Sequence, residues 1–403
     1  MRFSSISPLV LLYLSSLCGQ EVRRISTAHE LQDLFRNPVD SIRVELAPGT
    51  YHLVPTHFID ESCGNCEGPP TSVHATVGLH IRGRSVVISG PPNRSATIHT
   101  HAGYGIFIED CNEAILENLT ITGGERDTSG MATDAAVVVR RSSAVVRNNR
   151  IVGNIGDSAL VTKRIVGIIG IAGREHSTMT IVNNEIVRNS WDGIALYRDA
   201  RASIEGNIID GIDKATGGDI GGGRGVGIGL SWNAAADIRR NLVKRYWKGI
   251  GIFVDARATV RENIVEDIVT WGIQLWDAER GIPSAHIEQN VIYNTGACGA
   301  AITRASEQGD PGSFRGNILT KTAQNPRYDS PDYYCTQCAL ALERIPPNFL
   351  IADNVFTNNR RATPDLPDAD IPIEAFRTAI RPRMSLLESD RILKSSDFVR
   401  DFR

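Results

Sequence analysis

Five cations recur beside short apolar segments of the chain: Arg140, Lys163, Arg198, Lys248 and Arg304. The first three fall at near-equivalent positions just past such a segment. Lys248 precedes one, and Arg304 follows one near the C-terminal end. The chain as a whole carries 43 basic against 46 acidic residues, a net charge of −3. A basic edge on an otherwise acidic protein implies an anionic ligand. A polyuronate, with one carboxylate per sugar, would match a row of cations at strand spacing. Crowded like charges also depress a lysine pKa, so Lys163, Arg198 and Lys248 are candidates to take a proton from carbon. Asp192, with a second carboxylate, would instead serve acid–base hydrolysis or epimerisation. The bland alternative is a set of solvated charges paired with nearby acids. Asp210, Asp213 and Asp219 surround a Gly-rich segment at 217–227 and offer oxygen ligands for Ca²⁺, although no EF-hand-like spacing is present.

Apolar surface accompanies the charge. The signature Gly-Ile-x-Ile/Leu-z occurs at Gly193, Gly227, Gly249 and Gly272. In a strand the Ile and Leu of this signature point one way and positions x and z the other. Tyr197, Ser231, Phe253 and Trp276 then form one outward row, with Ala195, Gly229, Gly251 and Gln274 beside it. Aromatic platforms next to small residues make a shallow trough on which sugar rings could stack, with Trp232 and Trp271 at its margins. Arg140 and Arg304 would bind substrate from its ends. Loops packed on the sheet would explain the same row.

These side chains need a repeating scaffold, and one is legible. Asn followed by alternating apolar residues recurs at Asn118, Asn149, Asn184, Asn207, Asn241, Asn263, Asn290, Asn317 and Asn354, at spacings from 22 to 37 residues. A constant floor with irregular excess describes a fixed unit carrying variable loops. Each unit holds three short period-2 segments rich in Ile and Val: the Gly-Ile strand, an alternating strand and the Asn-anchored strand. Three such strands cannot bury an apolar face alone; stacked coil on coil, in parallel, they enclose a continuous core.

This pattern resembles the right-handed parallel β-helix of the pectate-lyase-like superfamily, in which a stacked asparagine ladder occupies the tight turn between the second and third strands. The resemblance spans roughly residues 40–360 and implies an all-β solenoid of about ten coils. It also implies polysaccharide chemistry in the groove over the first strand. Lyases of the superfamily use Lys or Arg as base, with Ca²⁺ or another cation neutralising the uronate carboxylate. Asn-Thr-Asp, Asp-Asp, Asp-Pro-His and Trp-Ile-Asp-His motifs typical of its hydrolases, epimerases and pectate lyases are absent from the sequence. The expectation is a lyase acting on an acidic polysaccharide by β-elimination. The alternatives are a hydrolase or C5-epimerase on the same fold, or a non-catalytic glycan-binding scaffold. His99 and His101 are candidates in an early coil, explained equally well as surface turn residues.

The remaining segments bound the protein. Arg2, an apolar run at 8–14 and small residues near Cys18 resemble a secretory signal peptide over 1–20. A secreted, periplasmic or extracellular location follows. A capping helix is expected within 21–40, the β-helix over 41–360 and a Pro- and charge-rich tail over 361–403. Removal of Cys18 leaves six cysteines, suited to disulfides in an oxidising compartment. Cys63/Cys66 and Cys335/Cys338 lie too many coils apart to share one zinc, so local bridges are expected, with Cys111 and Cys298 as buried small residues. The charge balance argues against nucleic acid, no later stretch is long and apolar enough to span a membrane, and a monomer is expected.

Overall fold

The computed structural model describes residues 21–62, 71–129, 133–157, 166–212, 225–329, 337–360, 378 and 390–402. Three sheets run the length of the solenoid, of twelve, eleven and eleven strands. In one central coil Ile194–Leu196 belongs to the first sheet, Arg201–Glu205 to the second and Ile208–Asp210 to the third. Each strand pairs in parallel with its equivalents in the coils before and after, for example Ala195 with Ala172 and Gly229. The one antiparallel pairing among the described residues, Thr56–Asp60 on Val73–Ile81, closes the N-terminal edge of the first sheet. Inward Ile, Val and Leu from all three sheets form one continuous core, including Ile194, Leu196, Ile204 and Ile209. Among the described residues no helix is long and apolar enough to cross a membrane.

The Gly-Ile signature has a steric cause. A Cβ on Gly193, Gly227, Gly249 or Gly272 would lie 2.3–2.7 Å from the carbonyl oxygen of the glycine one coil further on. No side chain fits at that separation, so the column admits only glycine where the strands of the first sheet begin.

The asparagine ladder is present with one correction. Asn149 to Asn354 form it: each side-chain amide donates to a backbone carbonyl and, in all but the last rung, Asn354, to the next rung, as Asn263 Nδ2 does to Asn290 Oδ1 (3.0 Å) and Ile238 O (2.9 Å). Asn118 is one residue out of phase. It holds a left-handed turn (φ 58°), as Asn148 does, and the rung position belongs to Leu119, whose amide donates to Asn149 Oδ1. A second ladder, Asn154 on Asn189, follows the third strand of its coil.

The N-terminal segment extends the first coil, whereas the C-terminal helices lie along the side of the solenoid. The strand Glu21–Ile25 pairs onto Ile42–Leu46, so the segment 21–40 opens with a strand before its helix. That helix, α1 (Ala28–Leu34), starts in a capping box between Thr27 and Glu30 and places Leu31 in the core. At the other end α2 (Asp390–Ser395) and α3 (Asp397–Phe402) dock on the outside of the third sheet, with Ile392, Phe398 and Val399 against Leu242, Ile264 and Val291. Glu266 accepts from the Asp397 and Phe398 amides (both 2.9 Å), anchoring the start of α3. Residues 1–20, Cys63, Cys66 and Cys335 lie outside the described residues. Cys111, Cys298 and Cys338 are buried.

Candidate active site

On the outer face of the first sheet the expected trough is open only in part: its row is buried from Phe107 to Gly251, and exposure returns at Phe253, Gln274 and Trp276. Its floor runs in register through Phe107, Val138, Ala172, Ala195, Gly229, Gly251 and Gln274. From Ala172 to Gly251 this floor is Ala and Gly alone, because larger side chains would fill the groove. One wall is the row at the strand ends, in which Arg140 pairs with Arg174 and Phe253 with Trp276. The other wall rises where the strands begin, at Lys248 and Trp271. The first half of the trough is ionic and the second half aromatic.

In the first half the cations are neutralised. Arg140 donates to Glu109 and Asp60, Arg174 to Asp60 and the Ser62 carbonyl, and Arg198 to Glu175 (3.4 Å). Tyr104 donates to Asp60 as well (2.7 Å), and His80 hydrogen-bonds Glu109 (2.9 Å). Burial works to raise the Asp60 pKa, but the charges of Arg174 and Arg140 hold it below the usual carboxylate value. Burial likewise opposes ionisation of Glu109, and hydrogen bonds from His80 and Arg140 bring it down to about 2. The expected basic edge is therefore an ion-pair network crossing several coils. Arg140, buried within it, is a structural cation and not a substrate contact.

Two further expectations are corrected. Arg304 is 1% exposed and turns away from the trough, donating to the carbonyls of Pro283, Ser306, Gln308 and Asp310. Asp210 lies on the third sheet, away from the trough, with its carboxylate charge paired to Arg245, which holds both oxygens at 2.6 Å. Asp213, Asp219 and Lys163 lie outside the described residues.

The second half keeps its chemistry. The Lys248 ammonium sits 5.0 Å from the ring centres of Phe253 and Trp271 and 5.8 Å from that of Trp276, a cation held among three aromatic rings. Phe253 and Trp276 meet edge to face at 6.4 Å, and Trp276 is 40% exposed. A Cβ on Gly251 would lie 2.2 Å from the Phe253 ring, so glycine lets that ring lie across the floor. Gln274 Oε1 is buried there without a hydrogen-bond partner.

Asp192 stands immediately before Gly193, at the head of its strand. Its carboxylate accepts the Val226 amide at 2.6 Å and the Tyr197 hydroxyl. Burial raises its pKa to about 7, against the opposing pull of the Val226 amide, Tyr197 and the Lys248 charge. Burial and the Asp192 carboxylate push Tyr197 well above its ordinary value, so the phenol stays protonated. Tyr197 belongs to an apolar cluster on the outer face, with Ala172 and Ala195, and is buried where an exposed platform was expected. The site thus combines a carboxyl poised near neutrality, a protonated phenol and a cation in an aromatic surround.

Sequence reasoning missed Arg174, Asp60 and Glu109. Gly170-Ile-Ala-Gly-Arg174 departs from the strand signature of Gly193 onward by having Gly173 in place of Ile or Leu, which hid the strand that Arg174 ends. Asp60 reaches Arg174 from the antiparallel edge strand, and nothing in its local sequence marks that path.

No curated protein matches the chain. Among solved structures it is similar to a periplasmic alginate epimerase, at 16% identity over 74% of this chain and 68% of that one, TM-score 0.44. It is similar to a mannuronic acid specific family 6 polysaccharide lyase from human gut microbiota, at 13% identity over 95% and 100%, TM-score 0.43. The Dettilon tailspike protein shares 14% identity over 78% of this chain, TM-score 0.48, and the chain spans 55% of its length. The family described as the right handed beta helix region matches residues 71–243 and 169–326, which take in the Gly-Ile column, the ladder and the trough. The chain belongs to the right-handed beta-helix family.

Proposed function

We propose that the chain is a secreted enzyme acting on an acidic polysaccharide in the aromatic half of the trough, by β-elimination. The observation that carries this reading is the adjacency of Lys248, held among Phe253, Trp271 and Trp276, to Asp192, whose carboxyl is hydrogen-bonded to Tyr197. A sugar ring lies across Phe253 and Trp276, with its carboxylate on the Lys248 ammonium. Contact with aromatic faces favours the charged lysine. Lys248 therefore neutralises the uronate and the enolate-like charge that develops on it, leaving proton abstraction to another group. Asp192, poised near neutrality, takes the C5 proton; the C4–oxygen bond breaks, and the departing oxygen is protonated by Tyr197 or solvent. Gln274 Oε1, buried without a partner, accepts a sugar hydroxyl.

Titration of wild type and Lys248→Ala with a uronate oligosaccharide and its carboxyl-reduced neutral analogue tests the reading. The wild type should prefer the charged ligand, and Lys248→Ala should lose that preference while keeping its affinity for the neutral one. Equal affinity of the wild type for both ligands would remove Lys248 from the site.

A further inference from the structure

Three histidines converge on the third-sheet side of the first coils, on a different sheet from the trough. His52 ends the strand Gly49–His52, and His99 ends Ala96–His99, in register beneath it. His101 follows two residues later in a left-handed conformation (φ 52°), which folds its ring back over the other two. One ring nitrogen from each lies within 4.8 Å of the others, and the His99 and His101 ring centres are 4.1 Å apart.

Three details distinguish this cluster from surface histidines in chance contact. His52 Nδ1 lies 3.3 Å from His101 Nε2. Two imidazoles bound tetrahedrally at about 2.0–2.1 Å from one zinc would hold their nitrogens roughly 3.3 Å apart. The far nitrogen of His101, Nδ1, faces Glu125 Oε1 at 3.3 Å, the carboxylate–histidine arrangement that orients metal-bound imidazoles. His99 Nδ1 is buried with no hydrogen-bond partner. Its ring also occupies space left by a glycine: a Cβ on Gly123 (φ +73°) would stand 2.1 Å from His99 Nδ1.

We propose that His52, His99 and His101 form a binding site for a divalent transition-metal ion of the zinc class, with Glu125 orienting His101 and solvent in the fourth position. Imidazole nitrogens suit zinc and its neighbours and do not suit calcium or magnesium. The ion ties the first coil to the second beside the N-terminal cap, so it stabilises the end of the solenoid increasingly as its free concentration rises above the dissociation constant.

The test uses the full chain stripped with a chelator, with Zn²⁺ followed by calorimetry and Co²⁺ by its visible spectrum. The expected result is one equivalent of Zn²⁺, a raised melting temperature, and a tetrahedral Co²⁺ spectrum without a thiolate charge-transfer band. His52→Ala, at an exposed position that folding does not require, and His101→Gln should abolish stoichiometric binding. Glu125→Gln should weaken it by roughly 10–100-fold, and the distant, exposed His176→Ala should leave it unchanged. Absence of binding by the wild type, binding that survives in both His52→Ala and His101→Gln, or a thiolate band assigning the ion to cysteine would each overturn the proposal.

Discussion

Arg174 and Asp60 lie 114 residues apart in the chain and meet as an ion pair in which both side chains are fully buried. Asp60 also receives Arg140 and Tyr104, so one carboxylate from the antiparallel edge strand ties together three successive strands of the first sheet. Removing one partner strands the other charge in a dry site. Asp60→Asn should cost about 3–5 kcal/mol, whereas the double variant Asp60→Leu/Arg174→Met should cost much less. Chemical unfolding of both variants checks this; a single variant as stable as wild type would deny the pair its role.

The pH dependence of stability has two opposing parts. The folded pKa of Glu109 is lowered from 4.5 to about 2, so its contribution is present above about pH 4.5 and is lost as pH falls toward 2. Asp134 runs the other way: burial beside Asp127 raises it from 3.8 to about 8. The folded state then holds the extra proton, and stability falls as pH rises from about 4 to 8. Asp134→Asn should lessen that decline, leaving the part that Asp192 contributes between about pH 4 and 7, without altering the acid limb, in melting temperatures recorded across the range.

Two glycines two residues apart should respond differently to alanine. At Gly227 a Cβ would stand 2.2 Å from Val243 Cγ1 and 2.7 Å from the Gly249 carbonyl oxygen, so Gly227→Ala should lose on the order of 1–3 kcal/mol. At Gly229 the nearest atom is Val226 Cβ at 3.5 Å, and Gly229→Ala should fold normally while narrowing the trough. Thermal melts separate the two, and equal losses would contradict the account of the column.

The ladder makes a similar claim. Asn263→Leu removes a buried amide that bonds Asn290, Ile238 and Arg261 and accepts from the Asn241 amide. The groups left unpaired should cost about 1–3 kcal/mol. A variant that melts like wild type would make the ladder a consequence of the turn and not a support for it.

How much of this was legible follows from how local each cause is. The Gly-Ile column and the asparagine rungs repeat because each coil meets the same steric and hydrogen-bonding demand, so a single sequence displays them. The phase of Asn118 was misread because an asparagine suits the left-handed turn as well as the rung beside it. Phe253 and Trp276 were placed correctly, since period-2 alternation fixes their outward direction. The fate of Arg140 was not legible: its partner Asp60 is 80 positions away, on an edge strand with no repeat signature. Arg304 was misplaced for a related reason, because it follows its strand into a loop whose own carbonyls it satisfies.

The central claim concerns Asp192 and the elimination it would drive. The most direct measurement is the ultraviolet absorbance of unsaturated product from a panel of polyuronates, recorded with reducing ends across pH for wild type and Asp192→Asn. Since the base must be deprotonated and its pKa stands at about 7, wild-type rate should rise as pH passes through about 7. Asp192→Asn should lose roughly 10²–10⁴-fold in kcat while still binding substrate. New reducing ends without gain in absorbance, or absorbance undiminished in Asp192→Asn, would contradict the account.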